Sequence, residues 1–219
     1  MTKVKICGNT NTEDVKLAAS LGADYLGFIF AESKRHIEPA AALKIMSAVP
    51  EFKNFVGVFV NQSKKEVEKI AKDLGIKILQ FHGDETALYC QYFMNKGFEV
   101  IKTFRIKDAM SLKRLDEYNV TAFLFDTYHM DSAGGTGVPF DWNLIEKHPY
   151  VQEKLFLAGG LNPDNLGDAI QKIHPYAVDV ASGVEKSPGK KDPVLLERFI
   201  SMAKQGDKKA HASKSSIRS

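Results

Sequence analysis

Eight short apolar runs recur through this 219-residue chain, at residues 3–7, 25–30, 54–60, 78–82, 100–105, 122–126, 155–158 and 177–181. Several are apolar at nearly every position, the pattern of parallel strands buried on both faces rather than of antiparallel strands with one wet face. They return at intervals of roughly 25 residues, enough for a strand, a crossover helix and two short loops. The segments between them carry helix signals. Thr12-Glu13-Asp14 opens an amphipathic stretch over 15–21, and Ser63 with Glu66 three residues on forms a capping box before 67–74. Asn162-Pro163-Asp164 places proline early in a helix whose inner face carries Leu166, Ala169, Ile170 and Ile173. Gly22, Gly75 and Gly97 stand where helices should stop. Eight strands alternating with eight helices predict an α/β fold, a (β/α)8 TIM barrel in a single domain spanning residues 1–205. An open doubly wound sheet is the alternative, but no Gly-x-Gly-x-x-Gly follows the first strand.

The net charge of +3 invites a nucleic-acid reading, and its location removes it. From Gly206 onward Lys208, Lys209, Lys214 and Arg218 face one acid, Asp207, so this stretch carries the whole excess. Residues 206–219 have almost no apolar content and are expected to be a basic, disordered tail. No nucleic-acid module is visible. No apolar run is long enough to cross a bilayer, and Met1-Thr2-Lys3 leads into a strand without a signal-peptide pattern, so no membrane association is expected. Two cysteines, Cys7 and Cys90, form neither a disulfide framework nor a metal-ligand spacing, which fits a reducing cytoplasm and no bound metal.

In such a barrel the chemistry belongs at the carboxyl ends of the strands. Cys7 ends the first run in Val4-Lys5-Ile6-Cys7-Gly8, where a thiol is either a small core hydrophobe or a reactive group at the mouth. Asp126 ends the apolar run Ala122-Phe123-Leu124-Phe125. There it is expected to point into the mouth, where partial desolvation favours the protonated form that a general acid needs. Pairing with a nearby lysine, or capping a loop, is the structural alternative. Arg35, just past the second run, offers a planar fork for a carboxylate or phosphate. Gln80 and His82 alternate with Leu79 and Phe81, so both could face the pocket, although a structural hydrogen-bonding role suits His82 as well. Asp179, between Val178 and Val180, is a charge inside a buried strand and requires a partner.

Glycines collect at the ends of the last strands. Gly159-Gly160 follows the seventh and Ser182-Gly183 the eighth, and these two loops form the recurring phosphate site of the fold. Gly134-Gly135-Thr136-Gly137 after the sixth adds a third flexible backbone. Together they predict a phosphorylated small-molecule ligand.

Lys5-Ile6-Cys7-Gly8, Gln80-Phe81-His82-Gly83, Phe125-Asp126-Thr127, Gly134-Gly135-Thr136-Gly137, Leu157-Ala158-Gly159-Gly160-Leu161 and Asp179-Val180-Ala181-Ser182-Gly183-Val184-Glu185 together resemble the phosphoribosylanthranilate isomerase family of tryptophan biosynthesis. The motifs occur in the family's order from the first strand to the segment after the eighth. The resemblance implies an Amadori rearrangement run without metal or cofactor, turning N-(5-phosphoribosyl)anthranilate into 1-(o-carboxyphenylamino)-1-deoxyribulose 5-phosphate. It implies Cys7 as general base, Asp126 as general acid and Arg35 as partner of the anthranilate carboxylate. Asp179 becomes a contact to a sugar hydroxyl, and the Gly159-Gly160 and Ser182-Gly183 loops the phosphate cradle.

A thiol is only slightly ionised at neutral pH unless its surroundings help. Lys5 shares the face of Cys7 but lies two residues deeper, about 6–7 Å along the strand. The helix after strand one, or another cation, is therefore expected to supply the help. Competing readings are a non-catalytic phosphosugar-binding barrel, an isomerase for a related aldosylamine phosphate, and the histidine-pathway barrel, which uses aspartate where Cys7 stands. A monomer or a homodimer is equally compatible with the sequence.

Overall fold

The structure is a computed structural model that describes residues 1–127 and 149–215. Eight parallel strands close into one barrel: β1 (Lys3–Ile6), β2 (Tyr25–Ile29), β3 (Phe55–Phe59), β4 (Ile78–Phe81), β5 (Glu99–Ile106), β6 (Ala122–Thr127), β7 (Leu155–Leu157) and β8 (Ala177–Val180). Each pairs with the next, and β1 closes on β8 with Lys5 opposite Asp179. Around them lie α1 (Thr12–Ser20), α2 (Pro39–Met46), α3 (Lys64–Leu74), α4 (Ala87–Met94), α5 (Pro149–Gln152), α6 (Leu166–Ile173) and α7 (Pro193–Ser215). This is the (β/α)8 barrel that the periodicity predicts.

Alternation along the strands separates two apolar sets. Val4, Ile6, Leu26, Phe28, Leu79 and Phe125 join the helices in the larger core. Cys7, Tyr25, Val58, Ile78, Leu124 and Phe156 belong to the smaller set that fills the barrel. Because side chains alternate with period two, Lys5, Gln80, His82, Asp126 and Asp179 share the inward parity. Small residues at Ala122 and Ala177 leave the amino-terminal end loosely filled. A cavity of about 200 Å³ opens there, lined by Tyr25, Ile101, Phe156 and Tyr176 among others, at the end opposite the glycine loops. None of the candidate residues lines it.

Capping follows the sequence signals where it can. Ser63 accepts from the Glu66 amide, Asn11 from that of Asp14, and Gly75 closes α3 in the left-handed conformation at φ +66°. Three segments depart from expectation. After β5 two short 3₁₀ turns, Ala109–Leu112 and Leu115–Glu117, replace a helix, because Asp108 and Ser111 cap one another reciprocally over a single turn. Asn162 accepts from the amides of Asp164 and Asn165, so Asn162-Pro163-Asp164 forms a turn ahead of α6 rather than its first residues. The last helix runs on to Ser215, through residues 206–215 that were expected to be disordered. Lysine, alanine and glutamine are good helix formers and extend a helix beyond its last packed turn, where Ala203 is buried. Residues 216–219 and the Gly134–Gly137 motif, residues 134–137, lie outside the described residues.

Candidate active site

Cys7 follows directly on β1, its amide donating to the Val180 carbonyl of β8 at 2.9 Å. It is 6% exposed and sits beside Gly27 of β2, where an added Cβ would lie 2.8 Å from the thiol sulfur and 3.2 Å from Lys5 Nζ. Glycine at 27 therefore leaves room for both groups. The same Lys5 ammonium donates to Asp179 Oδ1 at 2.8 Å, with the Lys5 side chain fully buried. This corrects the expectation about Lys5. Its backbone is two residues deeper, but its flexible stem brings the charge up the barrel beside the thiol, both groups flanking the same space over Gly27. Asp179 has its required partner, and that partner is protein.

Burial is the largest influence on Cys7 and pushes the thiol up; Lys5 opposes it, Asp179 reinforces it, and Lys191 opposes it weakly. The net direction is upward, toward the protonated form. Burial pulls Lys5 down, yet Lys5 is raised overall, chiefly by the charge of Asp179, which keeps the ammonium charged. The start of α1 contributes less than expected. Its first turn carries Glu13 and Asp14, and the buried Asp14 carboxylate accepts from Asn11 Nδ2 at 2.6 Å and from the Lys191 amide at 2.7 Å. Acid already occupies that helix end.

Asp126 near the end of β6 is about one-third exposed, and its Oδ2 lies 3.2 Å from His82 Nε2. The partner is histidine, not the lysine that the sequence offered as an alternative. Gln80 is 1% exposed, and its Nε2 lies 3.0 Å from His82 Nδ1 and 3.4 Å from Thr103 Oγ1. Gln80 faces inward, the Nε2 end of its amide is spent on the His82 ring and Thr103, and its Oε1 is buried with no partner among the described residues. An amide placed with Nε2 on Nδ1 selects the His82 tautomer that donates from Nε2 to Asp126. The reversed amide would give Oε1 an N–H and let Asp126 donate instead.

Arg35, in the loop after β2, does not stand free. Its Nε donates to both Glu185 oxygens at 2.9 Å, and Nη2 to Oε2 at 2.6 Å. Hydrogen bonding to Glu185 also raises the already high pKa of the guanidinium. Its stem crosses the backbone just after Cys7, where a Cβ on Gly8 (φ +73°) would fall 2.5 Å from Arg35 Cδ. Glu185 begins a small antiparallel hairpin after β8, β9 (Glu185–Ser187) and β10 (Lys190–Lys191). From β10 the fully buried Lys191 ammonium returns to Glu185 Oε1 at 3.0 Å, the Cys7 carbonyl at 2.6 Å and the Ala181 carbonyl at 3.3 Å. Burial lowers Lys191, against the pull of Glu185. Burial also disfavours the Glu185 carboxylate, but Arg35 and Lys191 hold it below the usual range. Sequence reasoning passed over Glu185 and Lys191. Lys191 sits in Gly189-Lys190-Lys191-Asp192, which reads as a solvated charge cluster, and only the final glutamate of the Ser182–Glu185 motif pointed here.

The glycine loops meet. Gly159 and Gly160 have φ of +86° and +68°, and Asn165 Nδ2 braces the Gly160 carbonyl at 3.0 Å. An added Cβ on Gly183 would lie 1.9 Å from the Leu161 carbonyl oxygen. The loop after β8 is therefore pressed backbone to backbone on the loop after β7. Among the described residues, no three His, Cys, Asp or Glu side chains are grouped to hold a metal ion.

Residues 4–202 match the family model described as N-(5'-phosphoribosyl)anthranilate (PRA) isomerase. The chain is 46% identical over 209 residues to the N-(5'-phosphoribosyl)anthranilate isomerase of Citrifermentans bemidjiense, covering 94% of this chain and 98% of that protein. It is 44% identical over 206 residues to that of Pelobacter propionicus, covering 94% and 97%. Among solved structures, one of monomers generated from the dimeric phosphoribosylanthranilate isomerase of Thermotoga maritima superposes with a TM-score of 0.83 at 38% identity, over 93% of this chain and 99% of that one. A phosphoribosylanthranilate isomerase in complex with reduced 1-(o-carboxyphenylamino)-1-deoxyribulose 5-phosphate gives 0.80 at 37% identity, with the same coverage.

Proposed function

The chain belongs to the N-(5'-phosphoribosyl)anthranilate isomerase family, and from that premise we propose how its residues divide the work. It is an isomerase of tryptophan biosynthesis, converting N-(5-phosphoribosyl)anthranilate to 1-(o-carboxyphenylamino)-1-deoxyribulose 5-phosphate. A non-catalytic phosphosugar-binding barrel is thereby set aside. The observation that carries the division of labour is the inward placement of Cys7 and Asp126 at the carboxyl ends of β1 and β6, two strands kept apart in the closed barrel by β7 and β8.

Asp126 delivers a proton to the furanose ring oxygen, and the ring opens to a Schiff base. That imine acidifies the hydrogen on C2, and the Cys7 thiolate removes it to give an enolamine, which tautomerises to the ketone. The step needs an acid and a base on opposite sides of the sugar, which one strand could not provide. His82 holds the Asp126 carboxyl in place, and Gln80 holds His82. Asp179 reaches a sugar hydroxyl while remaining paired to Lys5, and Arg35 takes the anthranilate carboxylate. Backbone N–H groups of Gly159, Gly160, Ser182 and Gly183 cradle the phosphate.

Purified protein incubated with the fluorescent substrate is expected to extinguish its emission at a rate proportional to enzyme. No decay would sink the assignment. A second expectation concerns the cradle. Gly183→Ala forces its new Cβ against the Leu161 carbonyl, so one loop must retreat. The expected result is a loss of about 10–100-fold in kcat/KM, carried mainly by KM, as for a small misplacement of a binding group. Steady-state kinetics checks it, and an unchanged KM would remove these loops from the phosphate site.

A reducing cytoplasm suits the two unpaired, buried thiols, Cys7 and Cys90. Among the described residues no helix is long and apolar enough to cross a membrane. The assembly is a monomer or a homodimer.

A further inference from the structure

Arg35 carries a substrate-facing role in the reading above, yet it is already engaged by a carboxylate of its own chain. We propose that Glu185 is the positioning residue for Arg35, gripping its Nε–Nη2 edge and leaving the Nη1–Nη2 edge to the substrate carboxylate. The inference rests on the assignment of Arg35 to that carboxylate and adds the group that makes the assignment work.

A guanidinium has two edges that can bind a carboxylate in two-pronged fashion. Glu185 takes the side edge, with Nε at 2.9 Å from both oxygens and Nη2 at 2.6 Å from one. Among the described residues nothing else takes Nη1 or the second hydrogen of Nη2, and these remain for a ligand. Glu185 is fit to act as an anchor because it is itself fixed. Its side chain is 3% exposed, and Lys191 Nζ at 3.0 Å and the Gly189 amide at 3.3 Å hold it from the hairpin side.

The charges also add up in the substrate's favour. A lone glutamate would cancel the arginine, but Arg35, Glu185 and Lys191 together keep one net positive charge. The far end of the trio is tied to the Cys7 carbonyl, which fixes the carboxylate-binding edge relative to the base. An arginine immobilised before the substrate arrives loses less side-chain freedom on binding.

The test compares two substrates, N-(5-phosphoribosyl)anthranilate and its analogue without the ring carboxylate, N-(5-phosphoribosyl)aniline, followed by proton NMR. Arg35→Met is expected to cost about 100-fold in kcat/KM on the first and under about threefold on the second, the loss of a two-pronged charged contact. Glu185→Gln is expected to raise KM about tenfold on the first with kcat nearly unchanged, to leave the second substrate unaffected, and to add nothing in the Arg35→Met background. Because Glu185→Gln leaves a buried lysine without its carboxylate, the pair Glu185→Gln with Lys191→Met, which removes both charges, is measured alongside; the same selective loss on the first substrate is expected. If both sets of Glu185 variants lose activity equally on both substrates, or lose none, Glu185 does not position Arg35. If Arg35→Met fails to distinguish the substrates, the assignment of Arg35 falls first, and the inference with it.

Discussion

Asp126→Asn is expected to lower kcat/KM for N-(5-phosphoribosyl)anthranilate by about 10³-fold, within the 10²–10⁴ range typical of a lost general acid. The substitution keeps the size of the side chain and leaves an oxygen or an amide to meet His82 Nε2, 3.2 Å away in the native site. What it removes is a proton that can be given up. Without protonation of the ring oxygen, the furanose must open by expelling an alkoxide, and every later step waits on that one. Asp126 is about one-third exposed and lies outside the apolar set that fills the barrel, so the fold should not suffer. The melting temperature and the affinity for the reduced product analogue should therefore stay close to wild type while turnover collapses. Turnover within tenfold of wild type would take the role of acid away from Asp126.

Cys7→Ala is expected to produce a loss of similar size, about 10³-fold in kcat/KM, by removing the base. Here pH gives the sharper test. Only the thiolate can take the C2 proton, and burial pushes the Cys7 thiol up despite the opposing charges of Lys5 and Lys191. A raised pKa leaves a smaller active fraction at neutral pH. The wild-type kcat/KM should therefore climb as pH rises through and above the ordinary thiol range near about 8.5, because this profile reports groups of the free enzyme. In Cys7→Ala the climb should vanish along with most of the rate. A wild-type profile flat from neutral to alkaline pH would mean that Cys7 does not titrate as the base.

These two residues were legible in the sequence because each ends a strand-like run, and strand ends at a barrel mouth are where chemistry can occur. The inward parity of Gln80, His82 and Asp179 follows from the same period of two. What each inward side chain touches does not follow from it. Gln80 was expected at the substrate, and the period of two does not show that its Nε2 meets His82 and Thr103. Asp179 was expected to need a partner and found it in Lys5, opposite it in register. Lys5 was judged too deep from its backbone position, because distance along a strand says nothing about where a long stem bends. Gly27 on the neighbouring strand opens the space that the stem uses. The crossover after β5 was read as a helix by analogy with the others, while a local Asp108–Ser111 cap settles for a 3₁₀ turn.

The sequence by itself determined the barrel, its strand ends and hence the ring of polar residues around the mouth. Hydrophobic periodicity is a property of consecutive residues, and closure of eight parallel strands follows from repeating it. The glycines that end the last two strands belong to the same local information. Tertiary structure alone decided the company each charge keeps. Lys191 reads as a solvated charge, and Glu185 as no more than the end of a motif, until the hairpin of β9 and β10 folds over the carboxyl ends of β8 and β1 and buries them. Once out of water a charge must be paired and hydrogen-bonded. The partners available are those that the closed barrel brings together from distant parts of the chain: Arg35 from the loop after β2, and the carbonyl of Cys7 from the end of β1.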